Sequence, residues 1–345
     1  MAVNFANVLS KNISFSGLIT TRKEGELKSQ LSEDVDYFFL KKKSNYDLSA
    51  FLRFRKYVCA KKITFIHAHS SSFFWAVLLK FTLFRVKVIW HDHYGNRVND
   101  EGFKNITLCF FSFFFSHIIA VNVELRDWAL SKMFTKRIVF IPNFILKKSK
   151  NISDINSKTF LKGDKEKRIV LLANLKSPKN HINFLKAFKM SEIYKNGWTL
   201  HFIGKDFSNE YSQVLKDFIL FNNLSQKVFF YGSCNDVRNI LKQCKVGALS
   251  STFEGFPVTL LEYANANLFV ISTNVGYCST LVNDNVDGLL FLPKNTNSIV
   301  TSLKKLNELS DENISQISSR FNIKIATQYD EEVVINEYLR FIQNE

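Results

Sequence analysis

The chain is short of residues that usually interrupt or cross-link a fold. Four prolines occur in 345 residues: Pro142, Pro178, Pro257 and Pro293. All fall where turns are expected, so no helix or strand need be broken by one. Glycine is also sparse. The first is Gly17 and no two of the 12 are adjacent, so no glycine-rich loop opens the chain. The five cysteines, Cys59, Cys109, Cys234, Cys244 and Cys278, are scattered and odd in number. Without a CxxC pair or a Cys/His cluster they suggest neither a zinc site nor a disulfide framework, and read as reduced thiols in a cytosolic protein. The first residues show no charged-then-apolar signal pattern. The most apolar stretch, 106–121, is about sixteen residues, contains two serines and His117, and falls short of the roughly 20 a spanning helix needs. It reads as a buried helix running into a strand, although its dense phenylalanine leaves room for a face that touches lipid without crossing it.

What the chain does have is phenylalanine, 35 of them, and a net charge of +15. The basic excess suits an anionic partner such as a phosphate, a nucleic acid or an anionic membrane. No nucleic-acid-binding motif accompanies it, so nucleic acid is not expected as a partner. The length exceeds what one core usually takes, which predicts two domains. Short β-rich runs alternate with helical spacing: Ser14–Thr20, Tyr37–Leu40, Ile63–Ile66, Val86–Trp90, Ile118–Val121 and Arg137–Ile141, then Ile169–Ala173, Thr199–Ile203, Val228–Tyr231, Val246–Ser250 and Leu268–Ser272. Helical spacing marks segments such as Asn183–Met190 and Tyr211–Phe221. This rhythm predicts α/β architecture with parallel sheets covered on both faces. A Lys/Ser/Asn-rich stretch at 147–167 divides the chain. Two doubly wound domains follow, 1–150 and 151–326, with ligands beyond the carboxyl ends of the strands and a cleft shared by the two.

One segment concentrates the chemistry. In Ser250-Ser-Thr-Phe-Glu-Gly-Phe-Pro-Val-Thr-Leu-Leu-Glu262 a strand ends, Gly255 permits a tight turn, and a helix begins at Pro257. Its free N–H groups and positive dipole end attract a phosphate. Glu254 lies in the turn and Glu262 nearly two turns into the helix. Carboxylates suit sugar hydroxyls because each accepts two hydrogen bonds.

This segment resembles the Glu-x7-Glu motif of retaining GT-B glycosyltransferases, particularly glycosyltransferase family 4. Leu171 to His181, Leu200 to Gly204, Val228 to Gly232, Val275-Gly276 and Asp287 to Phe291 resemble family turns in the same order. In the first half Ile66 to Ser70, Ile89 to His93 and Ile141 to Asn143 also match. The resemblance implies a GT-B fold and a glycosyltransferase that moves a sugar, with retention, from a nucleotide-sugar donor to a lipid-linked or polysaccharide acceptor in surface polysaccharide biosynthesis. It implies that Glu254 contacts the donor sugar, Glu262 the ribose and Lys179 the diphosphate. Backbone N–H groups from Gly255 through Phe256 and Pro257 to Thr259 add to the anion site, although Pro257 itself has none to give. Gly232 and Ser233 lie where the nucleobase is received, His93 beside the reacting sugar, and Asn174 where the family usually has Arg. His69 and Ser70 are acceptor-side candidates. No cofactor and no metal are expected, because Lys179 and the helix dipole meet the leaving group's charge. The 327–345 segment, with Val333, Tyr338, Leu339 and Ile342 as its apolar stripe, is expected to brace the first domain.

Three departures qualify the match. Asn174 removes one cation, and Thr280 stands where Glu is frequent. Met1 to Leu9 resembles the family's first helix, but the strand and glycine-rich loop before it have no counterpart. The expectation is a gap in the first sheet or a repaired pairing, and a true start upstream or a truncated copy. A non-catalytic protein that binds a nucleotide sugar or a partner enzyme is the alternative reading. His67 and His69 have the spacing of a metal pair, but a cleft-lining role for His69 is preferred. Asp34-Val35-Asp36 has the metal-binding spacing of the other large glycosyltransferase fold without its context. Arg53, Arg55, Lys56, Lys61 and Lys62, interleaved with Phe51, Phe54 and Tyr57, form a candidate face for an anionic bilayer. The expected location is cytoplasmic, peripheral on the inner face of the membrane.

Overall fold

The computed structural model describes residues 1–44, 46–100, 102–146 and 158–343. In chain order the elements are α1 (Ala2–Asn12), β1 (Gly17–Thr20), β2 (Asp36–Phe39), α2 (Leu48–Ala60), β3 (Phe65–His69), α3 (Phe73–Thr82), β4 (Lys87–Asp92), α4 (Phe103–Phe111), β5 (His117–Ala120), α5 (Val123–Lys132) and β6 (Ile138–Phe140). They continue with β7 (Arg168–Leu172), α6 (His181–Met190), β8 (Thr199–Ile203), α7 (Glu210–Phe221), β9 (Val228–Gly232), α8 (Val237–Leu241), β10 (Val246–Leu249), α9 (Val258–Asn265) and β11 (Phe269–Thr273). The last are α10 (Cys278–Leu281), β12 (Leu289–Phe291), α11 (Thr296–Glu308), α12 (Asp311–Gln328) and α13 (Glu331–Gln343). Every strand pairing is parallel.

Two compact units result. The first takes 1–150 together with 329–345, and the second takes 151–328. Most of the polar divider, 147–157, lies outside the described residues.

The second unit is one six-stranded sheet in the order β12-β11-β10-β7-β8-β9. Strand order reverses between β7 and β10, and such a reversal opens a crevice at the carboxyl ends of the strands. Side-chain alternation divides its core. Ile169, Leu171, Val246 and Ala248 face α6 and α11, alongside Phe184, Leu185 and Leu303. On the other face Gly247 leaves room for the Tyr263 ring of α9, since a Cβ there would come within 2.4 Å of it. The buried Tyr263 hydroxyl accepts from Leu172 N–H (2.9 Å) and lies 3.0 Å from the Ala248 carbonyl. It therefore bridges β7 and β10 just beyond their last register pair, Val170 and Gly247.

The first unit is split. β3-β4-β5-β6 form one sheet and β1-β2 a separate two-stranded one. Of the two expectations for this region, a gap or a repair, the gap is what forms. Helix α1 lies over the larger sheet with Phe5, Val8 and Leu9 buried against Ile89, Ile119 and α13. α13 braces this unit through Val334, Ile335 and Tyr338. Val333, expected in the apolar stripe, is instead exposed, and Val334 and Ile335 pack inward alongside Tyr338, Leu339 and Ile342.

Observed strands match the expected ones within a few residues at their ends. β12 was not among the expected strands: three residues are too few to show a period. The basic and aromatic segment of α2 is not one face. Phe54 is buried, Phe51 packs edge-on against Trp75, and Tyr57 stacks on Phe38 while donating to Asp36 (2.8 Å). Asp36 also pairs with Lys61, and Ser32 donates to Asp34. The Asp34-Val35-Asp36 carboxylates are thus engaged in structural bonds. No described helix is long and apolar enough to cross a membrane.

Candidate active site

At the β7/β10 switch point two loops converge. The loop after β7 ends in a short turn, Ser177–Lys179, followed by Asn180 in the left-handed region (φ 54°). The Asn180 side chain donates to Pro293 O (2.8 Å) and is buried. The loop after β10 is tied to it: Thr252 N–H donates to Pro178 O (2.9 Å) and Ser250 Oγ to Lys179 O (2.6 Å). With both backbones fixed, Lys179 Nζ lies 2.7 Å from Glu254 Oε1, the carboxylate being 12% exposed and the amine 35%. Gly276, at φ 50°, lets its own backbone press on that loop. A Cβ there would stand 1.9 Å from Glu254 O.

Gly255, Phe256 and Pro257 are buried and Thr259 is half-buried, with Phe256 stacked on Tyr277 (5.1 Å). Pro257 is the N-cap of α9, not its first helical residue, and no side chain caps the helix. In its first turn Val258 N–H bonds to Phe256 O and Leu260 N–H to Pro257 O (3.0 Å each), so the helix start offers an anion mainly its dipole. Glu262 is the fifth residue of α9, one turn in and not nearly two. Burial pushes its carboxyl up to about 7, against the opposing pull of Arg238 on α8.

Asn174 is taken up in the scaffold, its Oδ1 accepting from Lys205 N–H (2.8 Å). Beside it, Lys176 Nζ and Lys205 Nζ both stand over the Phe207 ring, at 4.8 and 5.4 Å. Sequence reasoning missed these two cations and Arg238. The signal available was a lysine in each of two neighbouring strand-end loops. Gly232 ends β9 at φ 69°, its carbonyl accepting from Gly204 N–H (2.8 Å), and Ser233 after it is exposed.

The first unit places its candidates at the carboxyl ends of β3 and β4. The register sets His69 opposite His91. Alternation then puts His67, His69, His91 and His93 on one face, with Phe5 and Tyr338 against the rings. They bond in pairs: His67 Nε2 with His91 Nδ1 (3.1 Å), and His69 Nδ1 with His93 Nε2 (2.9 Å). Burial lowers every one of these rings, His67 to about 3 and His93 to about 4, so all are neutral at pH 7. His67, His69 and His91 offer ring nitrogens within 4.8 Å of one another, a grouping compatible with a metal ion. Their pairing, and the bond of His67 Nδ1 with the Tyr338 hydroxyl (3.3 Å), engages ring nitrogens that a metal would need, and among the buried ring nitrogens of this cluster His91 Nε2 has no partner. Ser70 takes φ 50°, and its carbonyl accepts from Trp90 Nε1 (2.9 Å).

The loop bearing His93 is anchored by an ion pair that the sequence did not announce. Arg97 binds both oxygens of buried Asp92, donates to Asn105 Oδ1 (2.7 Å), and lies against Trp90, Tyr94 and Trp128. Asp92 Oδ1 also accepts from Tyr94 N–H (3.0 Å).

Residues 153–320 match the model of "Glycosyl transferases group 1" and residues 3–145 that of "Glycosyltransferase Family 4". The chain is 28% identical over 116 residues to the N,N'-diacetylbacillosaminyl-diphospho-undecaprenol alpha-1,3-N-acetylgalactosaminyltransferase of Campylobacter jejuni. That match covers 34% of this chain and 30% of the relative. It is 23% identical to the capsular polysaccharide biosynthesis glycosyltransferase CapH of Staphylococcus aureus, over 96% of this chain and 93% of that one. Among solved structures, Anabaena Alr3699/HepE in complex with UDP and glucose superposes with a TM-score of 0.81 at 16% identity. It covers 99% of this chain and 95% of its own.

Proposed function

We propose, for a chain that belongs to the GT-B glycosyltransferases, that it transfers a sugar from a nucleotide-sugar donor to a lipid-linked or polysaccharide acceptor. The observation that carries this reading is the Lys179–Glu254 pair at the β7/β10 switch point, one turn of chain from the uncapped start of α9. A cation, a carboxylate and a helix N-terminus in one crevice suit a diphosphate joined to a sugar. The named activities of the Campylobacter jejuni and Staphylococcus aureus relatives support the acceptor class, and the UDP complex of the Anabaena protein supports the donor class.

In this reading Lys179 leaves Glu254 as the diphosphate arrives, and Glu254 turns its freed oxygens to the sugar hydroxyls. Glu262 holds the ribose, Gly232 and Ser233 receive the base, and Lys176 and Lys205 supply the positive charge that Asn174 does not. As the anomeric bond breaks, charge gathers on the diphosphate, and Lys179 with the first turn of α9 stabilises it there. No side chain of the crevice stands out as a covalent nucleophile, and the resemblance to the retaining family is what implies that the bond forms with retention, by front-face attack. His93, held by His69 and by the loop that Asp92 and Arg97 anchor, serves beside the reacting sugar, and His69 and Ser70 serve the acceptor side. The reading takes no metal at the diphosphate.

The partner surface for a lipid-borne acceptor is a run of exposed phenylalanines on the first unit. Phe113 packs between Phe114 and Phe134, Phe114 meets Phe81, and Phe84, Ile106 and Phe110 stand exposed on the same or adjoining elements. The segments that carry them, 73–86, 103–114 and 130–137, contain six Lys or Arg and no Asp or Glu. Apolar tips on a wholly basic background suit peripheral contact with an anionic bilayer from the cytoplasmic side.

The deciding experiment is transfer assayed over a panel of nucleotide sugars with product linkage and anomeric configuration read by NMR. Turnover that falls about 10²–10³-fold in Lys179→Ala and in Glu254→Ala is the expected result. Donor binding without turnover in the intact chain would favour a non-catalytic, glycosyltransferase-like binding protein. An inverted product would remove retention while leaving the donor site standing.

A further inference from the structure

Asp236 is the N-cap of the short helix α8, yet its carboxylate caps none of that helix's N–H groups. An aspartate in this place ordinarily does so. Here it turns outward to Thr159, 77 positions earlier. Thr159 N–H donates to Oδ2 (2.7 Å) and Thr159 Oγ1 to Oδ1 (2.9 Å). Asn239 and Gln243 follow at helical spacing on the same side. Gln243 Nε2 donates to Thr159 O (2.8 Å), Asn239 Nδ2 donates to the same carbonyl (3.3 Å), and Gln243 Oε1 accepts from Leu161 N–H (3.1 Å). The hydroxyl of Tyr231, the penultimate residue of β9, accepts from Lys162 N–H (3.1 Å). Buried Arg168 completes the block, donating to the carbonyls of Leu161, Lys162, Gly163 and Gln243 at 2.6 to 3.0 Å. The irregular segment 159–163 is thus bonded along its length to 231–243. Between those anchors lie Ser233, Cys234 and Asn235, the first and last of them exposed. The entry to this loop is fixed by the bond from Gly204 N–H to Gly232 O (2.8 Å) and its exit by Asp236.

We propose that Thr159 and Asp236 are positioning residues for the donor base, their clasp holding loop 232–236 in the shape that selects one nucleobase over others. The proposal rests on the assignment of the base to Gly232 and Ser233. Among the described residues β9 is the edge strand of its sheet, so no strand beyond it supports the loop that follows. Segment 159–162 supplies that support. A loop ordered before its ligand arrives costs no ordering entropy on binding. A base that does not fit it leaves polar groups unpaired and is rejected. Released from Thr159, the loop adapts to several bases and holds each of them weakly. A clasp that only stabilised the second unit would alter melting and leave the choice of base untouched.

The test is calorimetric binding of UDP, GDP, ADP and dTDP to the full chain, with hydrogen exchange of 232–236 followed for the tightest of them. The intact chain is expected to prefer one base by about tenfold or more and to gain protection at 232–236. Asp236→Ala is expected to weaken that nucleotide about tenfold and the others by less than about twofold, so that selection collapses. Thr159→Ala should act in the same direction by about threefold, and Thr159→Ser should restore both binding and selection. Where Asp236→Ala fails to fold, the two Thr159 variants decide. Asn307→Ala is the control, since it removes the acceptor of Trp198 Nε1 (3.2 Å) elsewhere in the unit. It should lower the melting temperature and leave selection unchanged. Clasp variants that select as the intact chain does would overturn the proposal, as would a control that loses selection equally or an intact chain that binds all four alike. Binding without protection at 232–236, or no binding of any of the four, would remove the base assignment and the proposal with it.

Discussion

Glu254, Lys179 and Glu262 were legible as residues because their chemistry lies in local spacing: two carboxylates around Gly-Phe-Pro and a lysine in a strand-end turn. The residues that position them were not. Gly276 lies 22 positions from Glu254, and nothing near it in sequence announces that its missing Cβ is what lets the Glu254 carbonyl approach. Gly276→Ala is therefore expected to fold its sheet intact but to displace the Glu254 loop. Transfer should fall at least tenfold with little change in global stability, measured by kinetics and thermal melting together. Titration supplies a second expectation. Burial raises the Glu262 carboxyl to about 7, so it is largely protonated below that pH and cannot accept two ribose hydroxyls. The donor KM is expected to fall as pH rises through about 7. Glu262→Gln should flatten that dependence, and a profile unchanged by the substitution would remove Glu262 from the donor site.

At the scale of elements, period was informative wherever an element was long enough to show one. Helices α6, α7 and α13 emerged close to their observed bounds, whereas β12 did not. The basic, aromatic segment of α2 misled because composition does not say which way a side chain faces. Phe51, Phe54 and Val58 recur at helical spacing and turn inward together. The aromatic surface that does face outward centres on α4, where the dense phenylalanine of the sequence left room for a lipid-touching face beside the preferred reading of burial. Phe110→Glu combined with Phe113→Glu is expected to abolish co-flotation with vesicles rich in anionic phospholipid. Soluble transfer to a short acceptor should persist, and neutral vesicles should bind neither protein. Retention of flotation in the double variant would move the membrane surface elsewhere.

The whole molecule carries seven histidines, and burial lowers all of them, but five belong to the first unit. A histidine with a lowered folded pKa binds its proton more readily when unfolded. Its contribution to stability is present above about 6.5 and is lost as pH falls below that value. In the second unit Glu262 works in the opposite direction, losing stability as pH rises between its unfolded value and about 7. Acidification from pH 7 to 5 is thus expected to weaken the first unit more than the second, seen as earlier loss of amide protection in 65–92 than in 168–203. Coincident loss in the two units would contradict this assignment.

The discontinuity of the first unit has a temporal meaning. Its sheet strands are all translated before residue 146, yet the helix that covers Phe5 and the histidine rings, α13, comes after the whole of the second unit. Domains generally fold as they emerge, the N-terminal one first. Here the order is reversed at completion: the second unit has all its elements while the ribosome still holds the closing helix of the first. Until α13 emerges, the nascent first unit must wait with that apolar face open, and it is then that a chaperone would find most to hold.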